Sequence, residues 1–162
     1  MMTLTRRAVV RSLAGLPFVQ QALVPARPPA LAGDQVNEFV RVAHADLDAT
    51  RRMLDAEPRL IRAAWDWGGG DFETALGGAA HMGRRDVATF LVDRGAQHDL
   101  FAAAMLGELA TVKAALDARP ALARVPGPHG IPLLAHAKAG GPAAAPVLDY
   151  ISSVLTRLGS SA

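Results

Sequence analysis

Apolar residues recur at three- and four-residue spacing through most of the chain after residue 35, and alternating apolar–polar runs are almost absent. That period puts one apolar stripe along each of a series of short helices rather than on strands. Helices are expected at 36–44 and 46–54, at 74–83 and 84–96, at 100–107 and 108–116, and again from 131 to 140. The first helix of each pair is rich in Ala and Gly, which lets neighbours approach closely. The second carries Leu, Val, Phe and Met for burial. One such pair cannot bury its stripe alone, whereas a stack of four can.

The chain also repeats itself. Asp55-Ala56-Glu57-Pro58-Arg59-Leu60-Ile61-Arg62 returns as Asp117-Ala118-Arg119-Pro120-Ala121-Leu122-Ala123-Arg124, and the preceding helices stay in register, Leu47 with Leu109 and Leu54 with Leu116. The expected class is therefore all-α, with at most short hairpins between pairs.

Thr74-Ala75-Leu76-Gly77-Gly78-Ala79-Ala80-His81-Met82-Gly83 resembles the ankyrin signature T-P-L-H-x-A-A-x-x-G, with Ala for Pro and Gly for His. The resemblance extends over 36–151 and implies an ankyrin-repeat-like solenoid of about four helix–turn–helix units, the first and last degenerate as caps often are. More narrowly, the chain is similar to bacterial ankyrin-like proteins carrying W-D-W-G-G-G-D, H-M-G-R-R-D and G-P-H-G-I-P-L-L-A-H. That resemblance implies no particular activity.

Composition changes this picture at the N-terminal end. Arg6, Arg7, Arg11 and Arg27 fall in the first 32 residues, which hold no Asp or Glu. A moderately apolar stretch, prolines and Ala30-Leu31-Ala32 follow the first three arginines. The run Thr5-Arg6-Arg7-Ala8-Val9-Val10-Arg11 resembles a twin-arginine export signal, with Val9 where Phe is common. Residues 1–32 are thus expected to be an export signal centred on Arg6 and Arg7. Residues 33–162 are expected to be the repeat domain, and the location periplasmic. A cytosolic protein with a basic end is the alternative.

Charge then excludes one class of partner. The whole chain is +2, but without those four arginines the 17 basic residues become 13 against 15 acidic ones, a balance of −2. Such a body has no electrostatic footprint for nucleic acid. No apolar run approaches the ~20 residues of a membrane span, and the chain is expected to be a monomer. With no cysteine, disulfides, thiolate metal sites and cysteine nucleophiles are excluded. Serine is also absent from 33–151, and no phosphate-binding glycine loop occurs. The five histidines lack H-E-x-x-H or H-x-H spacing, so no metal or other cofactor is read from the sequence.

Two connections stand out. Trp65-Asp66-Trp67-Gly68-Gly69-Gly70-Asp71 holds both tryptophans between the first two units, and Pro126-Gly127-Pro128-His129-Gly130 is its equivalent between the last two. Each also has a purely structural reading. The rings would cover the first helix pair, Asp66 or Asp71 would cap the next helix, and His129 would bond to backbone in a rigid turn. Adjacent helices pack at about 8–10 Å, so hairpins two units apart should lie roughly 20 Å apart. That spacing suits a protein ligand. The expected function is therefore protein–protein binding, without catalysis, through Trp65, Asp66, Trp67, Asp71 and His129. The competing reading is a small enzyme or metal-binding protein using Asp66, Asp71, His81 and His129, which the expected spacing would keep apart. His81 and His136 otherwise read as structural residues, and Arg84-Arg85-Asp86 as a solvated turn.

Overall fold

The computed structural model describes residues 27–160, so Arg6, Arg7 and most of the expected export signal lie outside the described residues. From Leu31 onward the chain forms one unit of stacked helices. In chain order these are α1 (Gly33–Ala43), α2 (Leu47–Ala56), α3 (Ala75–His81), α4 (Arg85–Asp93), α5 (Leu100–Leu106), α6 (Leu109–Ala118), α7 (Leu133–Ala139) and α8 (Ala145–Ser160). The only sheet among the described residues is a hairpin of β1 (Ala64–Asp66) and β2 (Phe72–Thr74). The all-α expectation holds at this level. None of these helices is long and apolar enough to cross a membrane.

Local chemistry accounts for the helix starts. The side chains of Asp46, Thr74 and Asp99 accept hydrogen bonds from Ala49, Gly77 and Ala102 backbone N–H groups at 2.8, 3.0 and 2.7 Å, satisfying first-turn donors. The duplicated sequence forms the same structure twice, a 3-10 turn at Pro58–Arg62 and another at Pro120–Arg124. The final helix, α8, is longer than the periodicity alone indicated. Val147, Ile151 and Val154 recur on its buried side.

The interior is divided into two cores. One gathers Phe39, Leu54, Leu60, Leu76, Val87 and Leu91 from the first two helix pairs, and Trp65 packs against it half-buried. The other gathers Val112, Leu116, Leu133, Val147, Ile151 and Val154. Helix α5 serves both: Ala102 and Met105 face the first core, Ala103 and Ala104 the second. Arg85 is not part of a solvated turn. Its guanidinium donates to the carbonyls of Met105 and Leu106, both at 2.9 Å, and to Gly140 at 3.4 Å. It thereby satisfies orphan carbonyls at the ends of α5 and α7.

Candidate metal centre

The β1–β2 hairpin sets the centre of the site. Its register pairs Trp65 with Glu73 and Asp66 with Phe72. Gly68, Gly69 and Gly70 all take positive φ (124°, 67° and 87°), a turn closed to ordinary side chains. Asp66 Oδ1 accepts from the N–H groups of Gly68 and Gly70 at 2.9 and 3.1 Å, so it belongs to the turn. Alternation along β2 then sends Phe72 outward and Glu73 inward. The Glu73 side chain is fully buried.

Three histidines surround that carboxylate. His44 follows α1, and its Nε2 lies 3.3 Å from Glu73 Oε2. His81 ends α3, with Nε2 2.9 Å from Oε1. His129 comes from the 126–132 connection, with Nε2 3.3 Å from Oε2. The Nε2 atoms of His44 and His81 are 3.2 Å apart. All four donors lie within 4.8 Å of one another.

The outer partners orient these rings. Nδ1–H of His44 donates to the Val40 carbonyl at 2.9 Å, and Nδ1–H of His129 to Asp71 Oδ2 at 2.7 Å. In both neutral rings Nε2 therefore carries the lone pair that faces Glu73. The backbone N–H of His129 adds a 2.9 Å bond to Asp71 Oδ1, and the Trp67 indole N–H donates to Glu73 Oε2 at 2.8 Å. Glu73 Oε1, by contrast, is buried and accepts no hydrogen bond: His81 is near it but not aligned as a donor.

Proton affinities follow from these contacts. Burial would push the Glu73 carboxyl up. The close rings of His44 and His81 and the indole of Trp67 outweigh burial and hold it well below the usual carboxylate range. The same carboxylate raises His44, against the opposing effect of burial. Asp71 is lowered chiefly by the His129 backbone N–H. His136 sits behind the site, its Nδ1–H on the Pro132 carbonyl at 3.1 Å and its ring 6.4 Å from that of His81. Burial lowers its pKa and keeps it neutral.

These shifts predict how the metal-free chain responds to pH. The His44 contribution is complete below its unfolded value of 6.5 and is lost as pH rises through its raised folded value. The Glu73 contribution is complete above 4.5 and is lost as pH falls through its depressed folded value. The pair thus stabilises the chelator-treated protein most between about pH 4.5 and 6.5. Thermal melts from pH 4 to 8, with Glu73→Gln as reference, should show the difference between the two proteins shrinking on both sides of that window.

The 20 Å separation expected between the two hairpins is not what the structure shows. His129 bonds directly to Asp71, because the third unit carries no hairpin of its own and the 126–132 connection leans across the gap. Its path runs over Phe101 at the start of α5: a Cβ built on Gly127 would lie 3.0 Å from that ring. On the far side, Pro128 Cγ comes within 3.9 Å of a Cβ built on Gly77 of α3. Of the residues singled out in the sequence, Trp67, Asp71, His81 and His129 converge, while Trp65 and Asp66 stay outside. Glu73 and His44 were missed. Glu73 carries one signal, a carboxylate flanked by Phe72 and Thr74 on a short strand that must point one of them inward.

No family model, curated protein or solved structure matches this chain.

The donor set has a definite preference. Three imidazole nitrogens and one carboxylate suit Zn²⁺ and its first-row neighbours, whereas Ca²⁺ and Mg²⁺ require oxygen. A tetrahedron of 2.0–2.1 Å bonds has edges of about 3.3–3.4 Å. The observed edges of 3.2 and 3.3 Å are close to that, and the 2.9 Å edge is shorter.

Proposed function

We propose that the protein is an ankyrin-like stack holding one divalent transition-metal ion on His44, Glu73, His81 and His129. One observation carries this reading. The buried Glu73 Oε1 accepts no hydrogen bond, yet three Nε2 atoms stand around its carboxylate, two of them freed by Nδ1–H bonds to outer partners. Like-facing ring nitrogens beside an unsatisfied buried oxygen are poorly arranged for one another and well arranged for a cation. The repeat register and the Thr74–Gly83 motif support the solenoid reading. The acid-free basic start with Arg6 and Arg7 supports delivery by export. Protein binding through the same hairpin is a second reading, supported by the exposed rings of Phe72 and Trp67.

Titrating the chelator-treated full chain with Co²⁺ tests the metal reading. One equivalent should bind and develop visible d–d bands, quench indole fluorescence through Trp67 beside the site, and be displaced by Zn²⁺ but not by Mg²⁺. Absence of saturable Co²⁺ or Zn²⁺ binding at micromolar concentrations would overturn it.

A further inference from the structure

The four donors are not equivalent. His44, Glu73 and His81 come from α1, β2 and α3, elements that pack on the first core. Their side chains are 21%, 0% and 11% exposed. Together they form a two-histidine, one-carboxylate set, a group able to retain an ion with positions left open. His129 arrives from the other half of the molecule. Its side chain is 32% exposed, and no residue of its 3-10 turn (Pro128–Gly130) is buried. Its backbone is at φ 58°, the only positive φ outside glycine among the described residues. A non-glycine residue in that region is strained and persists only where its surroundings hold it. What holds it is the pair of bonds to Asp71.

We infer that His129 is a displaceable ligand, and that the coordination position it fills is a binding site for an external imidazole-type donor. The inference rests on the metal reading above. The chemistry of the position selects that class. A donor entering there needs a lone pair toward the ion and an N–H on the opposite side to satisfy the Asp71 carboxylate, as His129 does now. It also needs a flat ring, because the Trp67 ring stands 5.9 Å from that of His129 and is itself exposed. An azole meets these demands, as either a free small molecule or a histidine side chain of another polypeptide. An anion such as azide meets only the first, and it would face both Asp71 and Glu73 carboxylates.

The test uses the full chain loaded with Co²⁺, with imidazole and N-acetylhistidine amide as probes. His129→Ala and His129→Gly should each keep one Co²⁺, bound on the order of 10–100-fold more weakly, the size of an outer-shell loss. Glycine accepts the local φ, so the second variant guards against misfolding of the first. His81→Ala should fail to bind at those concentrations. Either probe should return the His129 variants to the wild-type visible spectrum with a saturable midpoint. In the metal-loaded wild type, either probe should speed amide hydrogen exchange across 126–131. Tighter binding of the histidine amide would identify a polypeptide as the source, and tighter binding of imidazole a small molecule. Loss of Co²⁺ from both His129 variants as complete as in His81→Ala would overturn the inference, and so would variants that hold Co²⁺ but ignore both probes. Failure of the wild type to bind Co²⁺ is a different result, which removes the metal reading and this inference with it.

Discussion

Glu73→Gln should yield a folded chain that gains no thermal stability from Zn²⁺. The amide is nearly the same shape, so its oxygen can still accept the Trp67 indole N–H that Oε2 accepts now. The charge is lost, however, and with it the only anionic donor among the four. Outer-shell partners are worth 10–100-fold in affinity, so a loss above about 100-fold is expected for a direct ligand. Wild type at a Zn²⁺ concentration 100 times its Kd should gain about 2.7 kcal/mol. For a domain of this size that is a rise in Tm of about 10 °C. Differential scanning with and without Zn²⁺ reads both numbers. A Gln variant that keeps the wild-type rise would remove Glu73 from the ligand set.

Gly78→Ala should separate metal binding from stability just as cleanly. A Cβ at that position would lie 2.6 Å from His44 Cε1 and 2.8 Å from its Nδ1. The helix itself favours alanine over glycine by roughly 1 kcal/mol. The conflict therefore falls on the His44 ring, which can swing toward solvent, and its bond to the Val40 carbonyl breaks as it does so. The metal-free variant should melt within a few degrees of wild type, yet bind Co²⁺ at least about 100-fold more weakly. Gly77→Ala is the matched control. Its Cβ would meet Glu73 Cγ at 3.4 Å and Thr74 Oγ1 at 3.5 Å, ordinary contacts, so binding should survive. Equal loss in both variants would show that α3, rather than the seat of His44, sets the affinity.

These two glycines show where sequence reasoning succeeded and where it stopped. Position 77 was noticed as a departure from the ankyrin pattern, glycine where that signature has histidine. Its neighbour explains a departure of another kind: only a side chain reduced to hydrogen at 78 leaves room for a ring delivered from the preceding unit. Helix period, the duplicated 55–62 and 117–124 segments and the capping residues were all legible, because each depends on residues close in sequence. The site was only half legible because its donors are 29 to 48 residues apart along the chain, at 44, 73, 81 and 129. Trp67, Asp71 and His129 drew attention as rare residue types in odd loops. Their meeting point did not, since regular stacking implies parallel hairpins and says nothing of a proline-rich loop that leans over Phe101. Arg85 was misread for a similar reason. A charged residue at a helix start reads as solvated until the carbonyl ends of two later helices are brought to it.

The division of the interior into two cores, joined through α5, has a kinetic consequence. In a linear stack the end units open more readily than the middle, and each opening is a local event rather than global unfolding. Fraying of α7 and α8 would carry away the loop that bears His129, while leaving α1 to α4 on their own core. The ion's residence time is then governed by the breathing of the C-terminal end, 30 or more residues from the other three ligands. A change that loosens Ile151 or Val154 should hasten ion release without touching the site.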